Sequence, residues 1–175
     1  MAKLRKTLGT LDSPYIISLM RSIETQSNNT IGKWTVTYAL EHITPIYEKF
    51  YPTDSRLRDT LNASLDYLDG KIKLTVVKKL ISDLRSAAKD VENNPVAQAS
   101  IRAVSQAAAS IHNPTNSLGF VFYGNAAIAY DKVGLEESAD FYEHLAFEES
   151  TKMELALKSI SVENEPNPAN INWYC

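Results

Sequence analysis

Three side chains in the last quarter of this 175-residue chain have the types and spacing of metal ligands: Asp140, His144 and Glu148. Residues four apart lie on the same face of a helix, so these three would form one edge of a site. Carboxylate and imidazole groups are common zinc ligands. A surface helix whose polar residues bond to each other is a commoner arrangement, and we favour it. We expect no metal and no cofactor.

The sequence also lacks the usual motifs of helical enzymes. A di-iron bundle needs Glu-x-x-His pairs, whereas Glu41 and Glu143 are each followed directly by a histidine, about 100° around the helix. There is no glycine-rich phosphate loop, no zinc-protease helix and no nucleophile elbow. Cys175, the only cysteine, would be a nucleophile without a fixed base. We therefore expect no catalytic residues and no enzyme activity.

Four other residues are candidates for a polar pocket: Trp34, Glu41, Arg56 and His112. Glu41 falls among apolar residues of one predicted helix, and Arg56, which begins the next, could reach it across a tight turn. His112 falls at a helix C-terminus, where the helix dipole favours its charged form. A buried ion pair with a helix cap explains these residues as well as a recognition pocket does. The sequence leaves both interpretations open.

Charge is distributed unevenly in a chain of net charge −3. Residues 131–165 contain ten acidic and three basic residues, and the rest of the chain has an excess of four positive charges. An acidic segment of this kind could meet a basic partner, with Glu137, Asp140, His144 and Glu148 as the contact residues. A solvated helix face would account for the same charges.

A basic stripe lies on one predicted helix, formed by Lys71, Lys78, Arg85 and Lys89. Nucleic-acid binding would use such a stripe beside aromatic residues for stacking. That helix has no aromatic residue, and the protein as a whole is acidic. We interpret the stripe as a solvated face and expect no nucleic-acid partner.

Helical periodicity and capping residues predict an all-α fold of six or seven antiparallel helices. Polar residues 27–30 are expected to be a loop, and Pro45 is expected to kink or break the helix that contains it. Ala99, Ala103 and Ala107 form a smooth stripe for close helix packing, and Trp34 is expected to be buried. The predicted helices are 14–26, 31–50, 55–69, 72–92, 95–111, 116–133 and 135–162.

The length and composition predict one helical domain over residues 1–163 and an extended or partly disordered tail over residues 164–175. No apolar run approaches the roughly 20 residues that span a bilayer, and the first residues lack an apolar signal core. A single cysteine permits no internal disulfide and suits a reducing compartment. We expect a cytoplasmic protein without a membrane segment.

The order and spacing of several motifs resemble one bacterial family. Within residues 30–135 they are Trp34, Ala39-Leu40-Glu41, Pro45-Ile46-Tyr47-Glu48, Tyr51-Pro52-x-Asp54-x-Arg56, Tyr67-x-x-Gly70, and an Ala/Ser-rich helix ending at His112 before Pro114-Thr115-x-x-Leu118-Gly119. This pattern is similar to that of the bacterial "putative immunity protein" family. Two positions depart from it, since Tyr67 replaces a frequent tryptophan and Asn116 a second histidine.

The resemblance implies a protein of a polymorphic toxin system that neutralises a cognate toxin domain by stoichiometric binding. A basic nuclease is one class of toxin that an acidic surface would suit. Two alternatives remain open. One is a small-ligand-binding or metal-binding helical protein, or an enzyme, with a pocket near Trp34, Glu41 and His112; the other is a general helical scaffold for protein interaction.

Overall fold

Seven helical segments follow one another in the computed structural model, which describes residues 3–174. The all-α prediction is therefore confirmed over these residues. A π-helical turn, Ala39–Ile43, joins α2 and α3 into one continuous helix. The α-helices are α1 Pro14–Glu24, α2 Asn28–Tyr38, α3 Thr44–Phe50, α4 Arg56–Leu68, α5 Leu74–Asp90, α6 Pro95–Ala109, α7 Asn116–Val133 and α8 Ala139–Ile160.

The ends of these helices follow local capping chemistry. Asn94 accepts the backbone N–H of Ala97 at 3.1 Å, as its place before Pro95 predicts. Gly134 closes α7 with a φ of 83°, a left-handed conformation that glycine adopts without strain. The predicted loop at 27–30 is wrong, because Ser27 accepts the N–H of Thr30 at 3.2 Å and α2 begins at Asn28.

The π-helical turn lies directly before Pro45. Proline has no N–H to donate, so a regular α-helix would leave a carbonyl of the preceding turn without its partner. Here the N–H of Thr44 bonds to the carbonyl of Ala39, five residues earlier, and the Thr44 hydroxyl reaches the same carbonyl at 3.1 Å. The predicted interruption at Pro45 is confirmed, and it takes the form of a widened helical turn.

Helix α6 is the centre of the molecule and contacts α2, α3, α4, α5 and α7. Eleven of its fifteen residues are buried, including the predicted stripe of Ala99, Ala103 and Ala107. Small side chains all round a helix allow several neighbours to approach its backbone closely. Trp34 on α2 is also buried, at 2% exposure, and donates its indole N–H to the Met153 carbonyl at 2.9 Å.

Both ends of the described chain lie against helices. Near the start, the Tyr130 hydroxyl of α7 bonds to the Arg5 carbonyl at 2.5 Å. Near the end, the N–H of Ala169 bonds to the Gln26 carbonyl at 2.7 Å, and the Trp173 indole bonds to Glu24 at 2.6 Å. Cys175 lies outside the described residues. Of the helices within 3–174, none combines the length and apolarity that crossing a membrane requires.

Candidate functional site

Helix α8 carries the predicted partner-binding residues, and its start is fixed by two local devices. Ser138 accepts the N–H of Phe141 at 3.2 Å, which caps the helix at Ala139 and leaves 135–138 outside it. The Tyr142 hydroxyl donates to the Gly134 carbonyl at 2.7 Å and accepts from the Glu137 N–H at 3.1 Å. The connection from α7 to α8 is thereby held in one conformation.

Three of the acidic residues on α8 attach the helix to the rest of the molecule. Glu149, 8% exposed, accepts the Tyr38 hydroxyl of α2 at 2.6 Å. Glu143 accepts the Tyr15 hydroxyl of α1, and burial followed by this bond raises the pKa of Tyr15 to about 12.

Glu154 is the third of these attachments. It accepts Ser22 at 2.7 Å and Ser18 at 3.0 Å, both from α1. Burial alone would raise its pKa, but the two serine hydroxyls and Lys158 together hold the pKa below its ordinary value. Glu154 therefore stays charged while it joins α8 to α1.

The residues predicted to contact a partner lie on the surface, unlike the three glutamates that bond to α1 and α2. Glu137, Asp140, His144 and Glu148 are all exposed. His144 and Glu148 pair with each other at 3.2 Å, whereas Glu137 and Asp140 have no ion pair within residues 3–174. The structure thus separates the acidic residues of this region into a buried or half-buried group that bonds to α1 and α2 and an exposed group.

Two phenylalanines that the sequence analysis did not select lie among the exposed charges. Phe141 is 40% exposed and Phe147 is 47% exposed. At about 100° per residue, positions 140, 141, 144, 147 and 148 fall within one sector of roughly 120°. We call this surface, taken together with the exposed Glu137 just before the helix, the α8 face. Protein-binding surfaces commonly contain aromatic residues with polar or charged residues around them.

No sequence rule separates these phenylalanines from core residues, because Tyr142, Leu145 and Met153 of the same helix are equally apolar and buried. The spacing of the two phenylalanines from Asp140, one and seven positions, places them within one sector of the helix. The spacing does not show that this sector is exposed.

The candidate metal edge does not extend to a metal site. Asp140, His144 and Glu148 all lie on α8, and in the described part of the chain no second element completes a metal-binding group with them. Across 3–174 there is no group of three or more histidine, cysteine, aspartate or glutamate residues arranged to hold a metal ion.

The four residues of the candidate polar pocket do not come together. Trp34 is a core residue, and Glu41 is an exposed residue of the π-helical turn whose carboxylate lies 3.7 Å from His42. The Arg56 side chain makes three hydrogen bonds to Asp54, at 2.9, 3.2 and 2.7 Å, instead of reaching Glu41. Asp54 is two residues away in sequence, so it competes successfully for the guanidinium group.

His112 has a different environment from the one its helix end predicts. Burial, followed by the positive charges of Lys78 and Arg85, lowers its pKa below the ordinary value. Its Nδ1 atom is buried and has no hydrogen-bond partner among the described residues. The neutral imidazole is therefore favoured, contrary to the expectation from the helix dipole.

A small groove does lie beside Trp34 and Glu41. It has a volume of about 290 Å³ and is lined by α2, the π-helical turn and the end of α8, with Tyr38, Ala156 and Ile160 contributing. Small-molecule sites usually have volumes of about 300–1,000 Å³. The groove is at the lower limit of that range, and Arg56 and His112 do not line it.

The described residues form an all-α protein in which α8 presents exposed charges and two exposed phenylalanines. The profile of the family described as "Imm-5 like putative immunity protein" matches residues 21–149, well over half of the chain. The chain belongs to this family. No curated protein and no solved structure matches the chain.

Proposed function

We propose that this protein neutralises a cognate bacterial toxin by binding it stoichiometrically. The family match over residues 21–149 carries the proposal. The toxin is a protein domain of a polymorphic toxin system, and the immunity protein acts in the cytoplasm without turnover or a cofactor. Binding blocks either the toxin's active site or the access of its substrate.

The α8 face is the contact surface in this proposal. Its exposed carboxylates would speed the encounter with a basic toxin, such as a nuclease, because opposite charges steer association. Phe141 and Phe147 would supply affinity, since buried aromatic anchors dominate the energetics of most interfaces. Glu143, Glu149 and Glu154, which bond α8 to α1 and α2, would keep this face rigid, which reduces the ordering cost on binding.

The test uses the toxin domain encoded beside the gene. Co-expression should protect the host cell, and light scattering should show a complex of defined stoichiometry. In stopped-flow measurements at low salt, the variant Glu137→Gln/Asp140→Asn/Glu148→Gln should associate several-fold to about tenfold more slowly. The difference should shrink near 1 M salt, where the Debye length is about 3 Å. Its stability should be unchanged, because these charges are exposed.

Two controls test whether the effects on binding are specific to the α8 face. One control examines the net charge of the protein, and the other examines the exposure of an apolar residue. The triple variant Asp12→Asn/Asp90→Asn/Glu92→Gln removes the same charge at exposed positions off α8 and should associate normally. Phe141→Ala should dissociate about 30-fold faster, as expected for an anchor worth about 2 kcal/mol. Phe50→Ala, at a comparable exposure of 44%, should not.

The experiments distinguish an error in the contact surface from an error in the function. An association rate that ignores both the charges and the salt would reject the α8 face but leave toxin binding intact. A protein that gives no protection and instead co-purifies with a partner that is not a toxin would reject immunity in favour of a general interaction scaffold.

A further inference from the structure

A second charged surface, opposite in sign to the α8 face, lies where the N-terminal segment meets α5, α6 and α7. It consists of two adjoining hollows that share Arg102 of α6. The first, of about 230 Å³, is lined by the N-terminal segment and α6, and the second, of about 170 Å³, by α5, α6 and α7. We call both together the basic groove, with the cations Lys3, Arg5, Lys6, Arg85, Lys89 and Arg102.

The positive charge of the basic groove is not compensated. None of its six cations forms an ion pair within residues 3–174, and no carboxylate lines either hollow. Elsewhere, Lys49, Arg56 and Arg58 each pair with a carboxylate within 2.7 Å. The lowered pKa of His112, due to burial and then to Lys78 and Arg85, reflects the same excess of positive charge beside the groove.

Contacts with α7 fix the position of the N-terminal segment and of Arg102. The carbonyl of Arg5 accepts the Tyr130 hydroxyl at 2.5 Å, and the N–H of Leu8 bonds to the Phe122 carbonyl at 3.2 Å, so the N-terminal segment is fixed along α7. The guanidinium carbon of Arg102 lies 5.9 Å from the centre of the Tyr123 ring, a cation–π contact that orients the side chain.

The size and chemistry of the groove identify the class of ligand. Both hollows are smaller than the roughly 300 Å³ at which small-molecule sites begin, and each suits a single side chain. Single-stranded nucleic acid is usually bound with aromatic residues that stack on its bases, but the ring of Tyr123, the aromatic residue of the second hollow, is already in contact with the Arg102 guanidinium group. Arginine binds carboxylates through paired hydrogen bonds.

We propose that the basic groove binds an acidic segment of a partner protein through its carboxylate side chains. This surface is separate from the toxin contact proposed above, since no residue of α8 lines either hollow. Arg85 and Arg102 bind the carboxylates directly, and the lysines raise the local positive potential. Two residues of the basic stripe, Arg85 and Lys89, are thus part of a binding surface assembled from four segments of the chain.

The test measures fluorescence anisotropy of a short labelled peptide of alternating glutamate and serine, with oligo-dT of the same length as a second probe. The peptide should bind at low salt, and Arg85→Gln/Arg102→Gln should weaken it about tenfold or more, because each lost charge-assisted bond contributes strongly. Lys33→Gln/Lys132→Gln removes the same charge from exposed lysines outside the groove and should leave the affinity unchanged. Arg85→Gln/Lys89→Gln gives a second variant that keeps the Arg102–Tyr123 contact.

Four results would overturn the proposal. The first two are that the peptide does not bind at low salt, and that the Lys33/Lys132 control weakens peptide binding equally. The third is that oligo-dT binds more tightly than the peptide and depends on Arg85 and Lys89 in the same way. The fourth is self-association in light scattering that the groove variants abolish. The last would mean that the occupant is a second copy of this chain.

Discussion

At the scale of single residues, Asp54 shows how one carboxylate can join two helices. It accepts the Tyr47 hydroxyl of α3 at 2.6 Å, the backbone N–H of Arg56 at 3.1 Å and the Arg56 guanidinium group. These hydrogen bonds, of which those from the Arg56 side chain act most strongly, lower the pKa of Asp54 from 3.8 to about 2, although burial opposes the shift. The turn between α3 and α4 is therefore stabilised by a charged group.

This lowered pKa predicts a pH dependence of stability. A carboxylate whose pKa is lowered by folding stabilises the folded state at every pH above its ordinary pKa. This stabilisation is lost as the pH falls from near 3.8 toward about 2. Asp54→Asn should cost about 1 kcal/mol at neutral pH, after allowance for the exposure of Arg56. Urea unfolding across pH should show that the gap from wild type narrows below pH 4.

Asp12→Asn is the matched control, since Asp12 is exposed and has no ion pair in the described part of the chain. Its stability should follow the wild type at every pH. A penalty for Asp54→Asn that is constant down to pH 2 would show that the hydrogen bonds, and not the charge, stabilise the turn.

The residue scale is also where sequence reasoning was least complete. The place of Asp54 just before α4 predicts that it accepts a backbone N–H there, and it accepts that of Arg56, although the N-cap residue is Ser55. The sequence does not show whether Arg56 bonds to Asp54 or to Glu41, because the long arginine side chain could reach either carboxylate. In the structure Asp54 accepts the guanidinium group of Arg56, while Glu41 is exposed and lies beside His42.

At the scale of helices, α6 leads to a packing prediction. Ala103 is fully buried at the centre of the most enclosed helix. Ala103→Leu should lower the free energy of unfolding by about 1–3 kcal/mol, because the added methylene groups would force neighbouring helices apart. Ala139→Leu makes the same change at an exposed position and should shift it by less than about 0.5 kcal/mol. Equal effects in denaturant unfolding would contradict this account of α6.

Most helices could be predicted because their signals are local. Capping residues, prolines and helical periodicity each act within a few positions, and they gave the helices to within a few residues. The roles of the acidic residues on α8 could not be predicted in this way. Glu154 becomes structural through Ser22, which lies 132 positions away, and Glu143 through Tyr15, 128 positions away. Which face of α8 stays exposed thus depends on long-range packing.

At the scale of the whole molecule, Gln26 connects the start of the fold to its end. Its side chain is buried, accepts the N–H of Val162 at 2.8 Å and donates to the Val162 carbonyl at 3.2 Å. Gln26→Ala should release the segment after α8, and glutamyl endopeptidase should then cut after Glu163 or Glu165 about tenfold faster. Gln98→Ala removes a similar amide, which bonds to the Ala88 carbonyl, and should leave this cleavage unchanged. Equal cleavage rates in both variants would show that other contacts hold the segment.

The π-helical turn has a consequence for how this chain can tolerate insertions and deletions. The large buried residues Trp34, Tyr38, Ile43 and Tyr47 are separated by four, five and four positions, and the step of five spans the turn. Removing one residue from 39–43 would shorten the step of five to a step of four and restore a regular α-helix, in which Ile43 and Tyr47 still share a face with Trp34 and Tyr38. Removing one residue from 35–37 would instead rotate everything after it by about 100°, so that Tyr47 would leave the core and lose Asp54. A deletion of a single residue should therefore be better tolerated within the π-helical turn than within α2.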